Sequence, residues 1–191
     1  MTASPRDAMI AHAALLIARD GVAGTSIGDV LTAAGASRGS VYHHFPGGRA
    51  ELMSEAVRFG AEILGERLAE ASLAGPGEAV ANLAAVWRRV LVESDFRTGC
   101  VVAEAGNARE TDPAAAEVAD ESFLRWEDRL AARFRAGGIE GERSRALAVT
   151  VFAAIEGAVM LCRVHRSLDP LDRVVGELQL LTGDGAGQTH G

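Results

Sequence analysis

Apolar residues recur at intervals of three and four along most of the chain, which is the period of an amphipathic helix. The strict alternation that marks strands is missing, as are the dipeptides typical of hairpin turns, and β-branched residues are sparse. The hydrophobic pattern therefore predicts an all-α protein.

Glycine, proline and polar clusters divide this pattern into successive helices. Besides two short helices within residues 26–44, the expected helices run from Ser4-Pro5 to Asp20-Gly21, from about Arg49 to Ala74, from Glu78 to Ser94, from Cys100 to Ala108, from Asp112-Pro113 to Arg135, from about Glu142 to His165 and from Pro170 to Leu181. We expect two domains, residues 1–50 and residues 51–182. Glycine and small polar residues predict a disordered tail over residues 183–191.

Residues 26–44 read as two short helices joined by a tight turn. Ser26 and Asp29 have the spacing of a capping box, which marks the start of the first helix. Gly35 follows the apolar stripe, where a chain leaving a helix commonly turns left-handed. Ser37 can then cap the second helix. This layout predicts a helix-turn-helix, so residues 1–50 are expected to form a three-helix DNA-binding domain.

Val41 and Phe45 face inward on the second helix, which leaves a polar face of Arg38, Ser40, Tyr42, His43 and His44. Helix-turn-helix proteins insert the start of such a helix into the major groove, where arginine can bind guanine through two hydrogen bonds. Arg38 is therefore the candidate for reading a base. The side chains suited to phosphates are Ser37, Tyr42, His43 and Arg49. An ordinary helical hairpin with a solvated face has the same spacing.

Residues 5–52 resemble the DNA-binding domain of the TetR family of repressors. The pattern is carried by Thr25, Ser26, Asp29, Ala34, Gly35, Ser37, Gly39, Tyr42, His44, Phe45 and Leu52. The resemblance implies phosphate contacts for Thr25 and Ser26, entry into the groove for Ser37, Arg38, Gly39 and Ser40, and a grip on the DNA backbone for Tyr42 with His43 or His44. The family's lysine after the phenylalanine is absent, and Arg49 is expected to take its role.

The rest of the chain is similar to the LmrA/YxaF-like branch of the same family. The similarity is carried by residues 96–105, FRTGCVVAEA, by residues 155–158, IEGA, and by residues 169–171, DPL. It implies a helical domain that binds an effector and dimerises, with release from DNA when a small molecule binds.

An effector pocket is expected from inward-facing side chains of the later helices. The apolar candidates are Phe59, Ile63, Trp87, Phe96, Cys100, Phe123, Trp126, Phe152 and Met160. Clusters of such residues line apolar ligand sites, although aromatics at helical spacing also build ordinary cores. Glu104 and Glu156 interrupt apolar helix faces, so each is expected to meet a ligand, unless it pairs with an arginine or faces solvent.

A dimer interface is expected on the last two helices. Ala154, Ala158 and Cys162 form a narrow face that another helix can approach closely, and Val174, Leu178 and Leu181 form a second stripe. Two such helices from each subunit would make a four-helix bundle, and two-fold symmetry would present two recognition helices to an inverted-repeat operator. Packing of the same faces within one subunit is the alternative.

Charge and cysteine content limit the function further. The net charge is −7, yet residues 1–50 hold four arginines and three aspartates, so the acidic excess lies elsewhere and argues against a histone-like coating protein. Cys100 and Cys162 are far apart and lack zinc-ligand spacing, so neither a disulfide framework nor a metal site is indicated, and no cofactor is expected. No apolar run approaches the length of a membrane helix, which predicts a cytoplasmic protein without membrane partners.

These observations together predict a homodimeric repressor that a small-molecule effector releases from double-stranded operator DNA. An architectural DNA-binding protein without effector is the alternative. An enzyme is the third hypothesis. Cys100 with His165, or Glu104 with Glu156, could be assembled into a catalytic site, but neither pair has a local catalytic signature.

Overall fold

The computed structural model describes residues 4–71 and 75–183, which form helices and connecting turns. The helices in this part of the chain are α1 (Pro5–Gly24), α2 (Ile27–Ala34), α3 (Arg38–His44), α4 (Gly48–Ala71), α5 (Pro76–Glu93), α6 (Val101–Gly106), α7 (Pro113–Ala136), α8 (Gly141–His165) and α9 (Asp169–Gly183). The all-α prediction is confirmed, and the predicted tail lies outside the described residues, apart from Gly183.

The first helix starts and breaks where its sequence dictates. The Ser4 hydroxyl accepts a hydrogen bond from the Asp7 amide, and Pro5 occupies the first turn, where its missing donor costs nothing. Gly21 leaves helical geometry with φ 76° and ψ 168°, and one further turn continues to Gly24. The predicted end at Gly21 is therefore a break in a slightly longer helix.

The chain forms two compact units. The first comprises residues up to Ile63 together with Cys100–Phe123, and the second comprises Leu64–Gly99 with Leu124 onward. This grouping differs from the expected division after residue 50. The reason is packing: α6 lies against α1, and the first half of α4 buries Leu52 and Met53 in the first unit.

Close packing of α4 against α6 depends on one glycine. A Cβ atom at Gly60 would overlap the side chain of Val101, so only glycine allows this approach. In the second unit, α9 packs against both α5 and α8, and Arg88 forms an ion pair with Asp172.

Helix α8 has unusual length and apolarity. Within the described residues it is the helix long and apolar enough to cross a membrane, with 25 residues and a mean hydropathy of 1.9 over its most apolar window. Any 18-residue window of this helix contains Glu156 and an arginine, so it is not the uninterrupted apolar run whose absence the sequence analysis noted. Length and composition are weak evidence for a membrane span, because core helices of soluble proteins have the same properties, and 44% of that window is buried.

Candidate nucleic-acid interface

Helix α2 is held at both ends by local interactions. The Ser26 hydroxyl accepts from the Asp29 amide at 3.1 Å, and the Asp29 carboxylate accepts from the Ser26 amide at 3.2 Å, which confirms the predicted capping box. The Ser26 hydroxyl also donates to the Asp29 carboxylate, and this bond together with the one from the Ser26 amide lowers the pKa of Asp29. At the other end, Gly35 adopts the left-handed conformation, with φ 63°. The turn therefore delivers the chain to α3 in a defined direction.

Helix α3 is fixed by its inner face. Val41 and Phe45 are completely buried, as their spacing predicts. Ser37 has the extended backbone of a capping residue, but its side chain makes no capping hydrogen bond. This differs from the prediction, and it leaves the hydroxyl able to bind another group.

The outer face of α3 is polar and open. Arg38, Gly39, Tyr42 and His43 are exposed, whereas Ser40 and His44 are half-buried. Tyr42 is 67% exposed, which is unusual for an aromatic side chain outside an interface. A Cβ atom at Gly39 would meet nothing within 4 Å, so the first turn of α3 is bare toward solvent. The backbone at Gly39 is therefore open to close approach by another molecule.

Arg38 differs from the other arginines of residues 1–50. Arg6 pairs with Glu55 and lies over the Phe45 ring, Arg19 forms a bidentate pair with Asp20, and Arg49 pairs with Asp112. Arg38 makes no hydrogen bond or ion pair with any part of the chain that the structure describes. Its guanidinium is therefore the available cation on this face.

Thr25 and Ser26 lie at the start of α2 but differ in exposure. The Thr25 side chain is 2% exposed, and its hydroxyl donates to the Gly21 carbonyl at 2.9 Å. The implied phosphate contact of Thr25 therefore cannot use that hydroxyl without breaking this bond. Ser26 is exposed, although its hydroxyl also bonds the Asp29 carboxylate.

Arg49 points into the first unit. Its guanidinium donates to Asp112 Oδ2 at 2.8 Å, to the Val22 carbonyl at 2.6 Å and to the Thr25 carbonyl at 3.2 Å. The hydrogen bonds to Val22 and Thr25 tie α4 to the α1–α2 turn, and the bond to Asp112 ties α4 to the start of α7. The expected phosphate contact of Arg49 would have to be made alongside these three hydrogen bonds, with a side chain that is 36% exposed, and it stays a prediction.

Asp112 is the residue that sequence reasoning missed. It is 3% exposed, and while Oδ2 accepts from Arg49, Oδ1 accepts from the Ala115 amide at 3.3 Å at the start of α7. The Asp-Pro pair indicated a helix start, but nothing in the sequence points to a partner 63 positions away.

Comparison with known proteins agrees with this geometry. Residues 9–56 match the family model of bacterial regulatory proteins of the tetR family, and residues 76–177 match the LmrA/YxaF-like transcriptional regulator C-terminal domain. The second match spans more than half of the chain. The chain belongs to the TetR family.

Relatives and solved structures extend the match to nearly the whole chain. An HTH-type transcriptional regulator of Mycobacterium tuberculosis, Rv0196, is 42% identical over 93% of each chain. LmrA of Bacillus subtilis, also an HTH-type transcriptional regulator, is 27% identical over 87% of this chain and 90% of its own. A TetR regulatory protein of Rhodobacter sphaeroides has the same fold, with a TM-score of 0.84 and 20% identity over 93% of this chain and 99% of its own. The protein is thus a DNA-binding transcriptional regulator and not an enzyme.

The expected effector residues of this TetR-family regulator are divided between the two units. Phe59, Ile63, Cys100, Glu104 and Phe123 belong to the first unit, and Trp87, Phe96, Trp126, Phe152, Glu156 and Met160 belong to the second. A cavity of about 270 Å³ in the second unit is lined by Trp126 and Phe152 but by none of the other candidates. Met160 is exposed, and Glu104 and Glu156 are each engaged by other groups.

The expected dimer residues also separate into two sets. Ala158, Cys162 and Leu178 are buried within the chain, where α8 packs on α9, so these three fit the intramolecular alternative. Leu181 is exposed, and Ala154 and Val174 are half-buried. Another set of apolar side chains, the outward stripe, is exposed: Val149, Met160, Leu161 and Val164 of α8 and Leu180 of α9.

Proposed function

We propose that this TetR-family regulator is a cytoplasmic, homodimeric repressor that binds an inverted-repeat operator and leaves it when a small molecule binds. The observation that carries the proposal is the unengaged Arg38 on the open face of α3, above the buried Val41 and Phe45. A cation held on a rigid helix and without a partner in the described chain suits recognition of a guanine.

The proposed DNA contacts fall into two classes. Arg38 reads a base in the major groove, because its fork of donors matches the guanine acceptors. The residues that bind phosphate and sugar, and thereby fix the position of α3, are Ser26, Ser37, Ser40, Tyr42, His43 and His44. Gly39 allows close approach of the DNA. Thr25 and Arg49 hold the turn before α2.

Dimerisation is supported by the outward stripe of α8 and α9. Val164 and Leu180 are each 71% exposed, and together with Val149, Met160 and Leu161 they form an apolar surface that water solvates poorly. Pairing of these helices with the same helices of a second copy would bury the stripe in a two-fold interface. Leu181, which the sequence analysis placed in the dimer interface, is exposed and is kept in this proposed interface.

Release by an effector follows from linkage. A ligand that prefers the dimer conformation with mis-spaced recognition helices must, by thermodynamic reciprocity, bind the operator-bound dimer more weakly. The cavity of the second unit is the proposed ligand site. Helices α4 and α7 contribute residues to both units, so continuous backbone connects that unit to the first one.

Selection of bound sequences from a random DNA pool with the purified protein tests this function. Enrichment of an inverted repeat, with affinity that falls steeply between two salt concentrations, is the expected result. Recovery of unrelated sequences with equal affinity would contradict it and favour an architectural DNA-binding protein.

A further inference from the structure

The described lining of the cavity in the second unit is apolar except for charges of one sign. Leu83 of α5, Trp126 of α7 and Phe152 of α8 are among its apolar lining residues, and Arg129 and Arg133 of α7 are the charged residues among those described. The rings of Trp126 and Phe152 are stacked, with centroids 6.0 Å apart and 25° between their planes. The space therefore combines an aromatic wall of two stacked rings with two cations, and its described lining includes no carboxylate.

Arg129 belongs to a row of like charges. Arg125, Arg129 and Arg133 follow each other at four-residue intervals on α7, a spacing at which like charges repel. Arg125 and Arg133 each interact with other groups, whereas Arg129 is exposed and makes no hydrogen bond or ion pair within the described ranges. An anion at the cavity would supply the partner that Arg129 lacks.

Gly65 of α4 brings these groups together. A Cβ atom at this position would lie 3.1 Å from Trp126 Nε1 and 3.6 Å from Arg129 Nη1, so the absence of a side chain lets both groups lie against α4. The aromatic wall and the unpaired guanidinium are consequently neighbours at one site.

We propose that this cavity binds an aromatic carboxylate, with the ring against Trp126 and Phe152 and the carboxylate on Arg129. A guanidinium binds a carboxylate through two parallel hydrogen bonds, which gives direction as well as affinity. A cavity of about 150 Å³ accommodates benzene, so the volume here is suited to a ligand of two fused rings. This inference rests on the proposed function, because it names the chemical class of the effector that the proposed repressor would bind.

Calorimetric titration of the full-length protein with three probes of one shape tests the proposal. The probes are 2-naphthoate, the neutral 2-naphthamide and the cationic 2-(aminomethyl)naphthalene. We expect the acid to bind at least about tenfold more tightly than the amide, and the amine to bind most weakly, because only the acid pairs with Arg129. Equal affinities for acid and amide, or no binding of the acid at about 1 mM, would overturn the proposal.

Three variants locate the binding site. Arg129→Gln is expected to abolish the preference for the acid, whereas Arg125→Gln, one turn away and outside the cavity lining, is expected to keep it. Ala132→Leu narrows the cavity and is expected to weaken acid and amide alike. A preference for the acid that survives in Arg129→Gln contradicts the proposal. The wild-type comparison of acid with amide needs no variant and remains decisive if a variant does not fold.

Operator binding without ligand separates this proposal from the function on which it rests. A protein that selects an inverted repeat but does not distinguish the acid from the amide overturns only the ligand class. A protein that prefers the acid but selects no DNA sequence overturns only the proposed repressor, and leaves the cavity's ligand class supported.

Discussion

Helix α3 and the α8–α9 pair both direct large side chains to solvent, but the chemistry of the two surfaces differs. On α3 the exposed groups are a guanidinium, a phenol and imidazoles, whereas on α8 and α9 they are Val149, Met160, Leu161, Val164 and Leu180. Polar groups on a rigid base suit hydrated, charged DNA. An apolar stripe suits a surface that excludes water, such as a second copy of the same helices.

The two surfaces are also supported differently. Helix α3 has seven residues and relies on its buried Val41 and Phe45, while Arg49 and Asp112 hold the α1–α2 turn of the same unit. Helix α8 has 25 residues and packs its inner face along α9. The recognition helix should therefore respond to the loss of single interactions, and the α8–α9 surface mainly to the loss of its apolar character.

The largest effect is expected for Asp112→Ala, which removes the carboxylate that holds Arg49 at the α1–α2 turn. It leaves the Arg49 guanidinium partly buried without its partner and removes the acceptor at the start of α7. We expect a loss of about 2–4 kcal/mol in the free energy of unfolding, measured by urea denaturation. Asp120→Ala, at an exposed position of α7, is the matched control, and an equal loss in both variants would contradict the structural role of the pair.

Next in size is Val164→Glu, which places a carboxylate at the most exposed α8 position of the apolar stripe. If the stripe is the dimer interface, the dissociation constant of the dimer should rise by at least about 100-fold, because a carboxylate without a partner resists burial. Sedimentation velocity over a range of concentrations measures this constant. The same change at the exposed Leu15 of α1 should leave it unaltered. An unchanged dimer in Val164→Glu would remove the proposed contrast between the two surfaces.

Arg38→Ala tests base reading on α3. We expect operator binding to lose about 1–3 kcal/mol and to relax its preference at one base pair per half-site. Arg19→Ala is the control, since that arginine is already paired with Asp20. Equal losses on operator and on random DNA would show that Arg38 binds phosphate instead.

Tyr42→Phe removes only a hydroxyl from the same face. A phosphate contact carries no sequence information, so the variant should weaken operator and random DNA by the same amount, about 0.5–1.5 kcal/mol. Filter binding on both DNAs provides the comparison. A loss confined to the operator would assign Tyr42 to base recognition.

The smallest effect concerns Asp95 in the second unit. Its hydrogen bond and ion pair with Arg166, at 2.7 Å, lower the pKa of the Asp95 carboxyl below its ordinary value of 3.8. Because the folded-state pKa is the lower one, the contribution of this pair is present above the ordinary value and is lost as the pH falls through the lowered pKa.

Asp95→Asn should consequently lower the melting temperature slightly at neutral pH, since both side chains are exposed. The difference from wild type should shrink below about pH 4. Glu142→Gln, at another exposed ion pair, is the control for general charge effects. A difference that stays constant across this range would mean that the carboxylate charge of Asp95 is not involved.

Local features of this protein were predictable from sequence. Each of these features depends on residues within a few positions of one another. They are the capping box of Ser26 and Asp29, the left-handed conformation of Gly35, and the inward positions of Val41 and Phe45. Helix termini and amphipathic faces arise from such short-range rules, so the helix-turn-helix and the all-α fold could be inferred from the chain alone.

Partners distant in the sequence were decided only by the tertiary structure. It paired Arg49 with Asp112, and buried Ala158 and Cys162 against α9. It also placed Arg129 beside Trp126 and Phe152, without an ion-pair partner in the described part of the chain. The physical reason is that helical periodicity states which residues share a face, whereas the packing of helices far apart in the chain decides what each face meets.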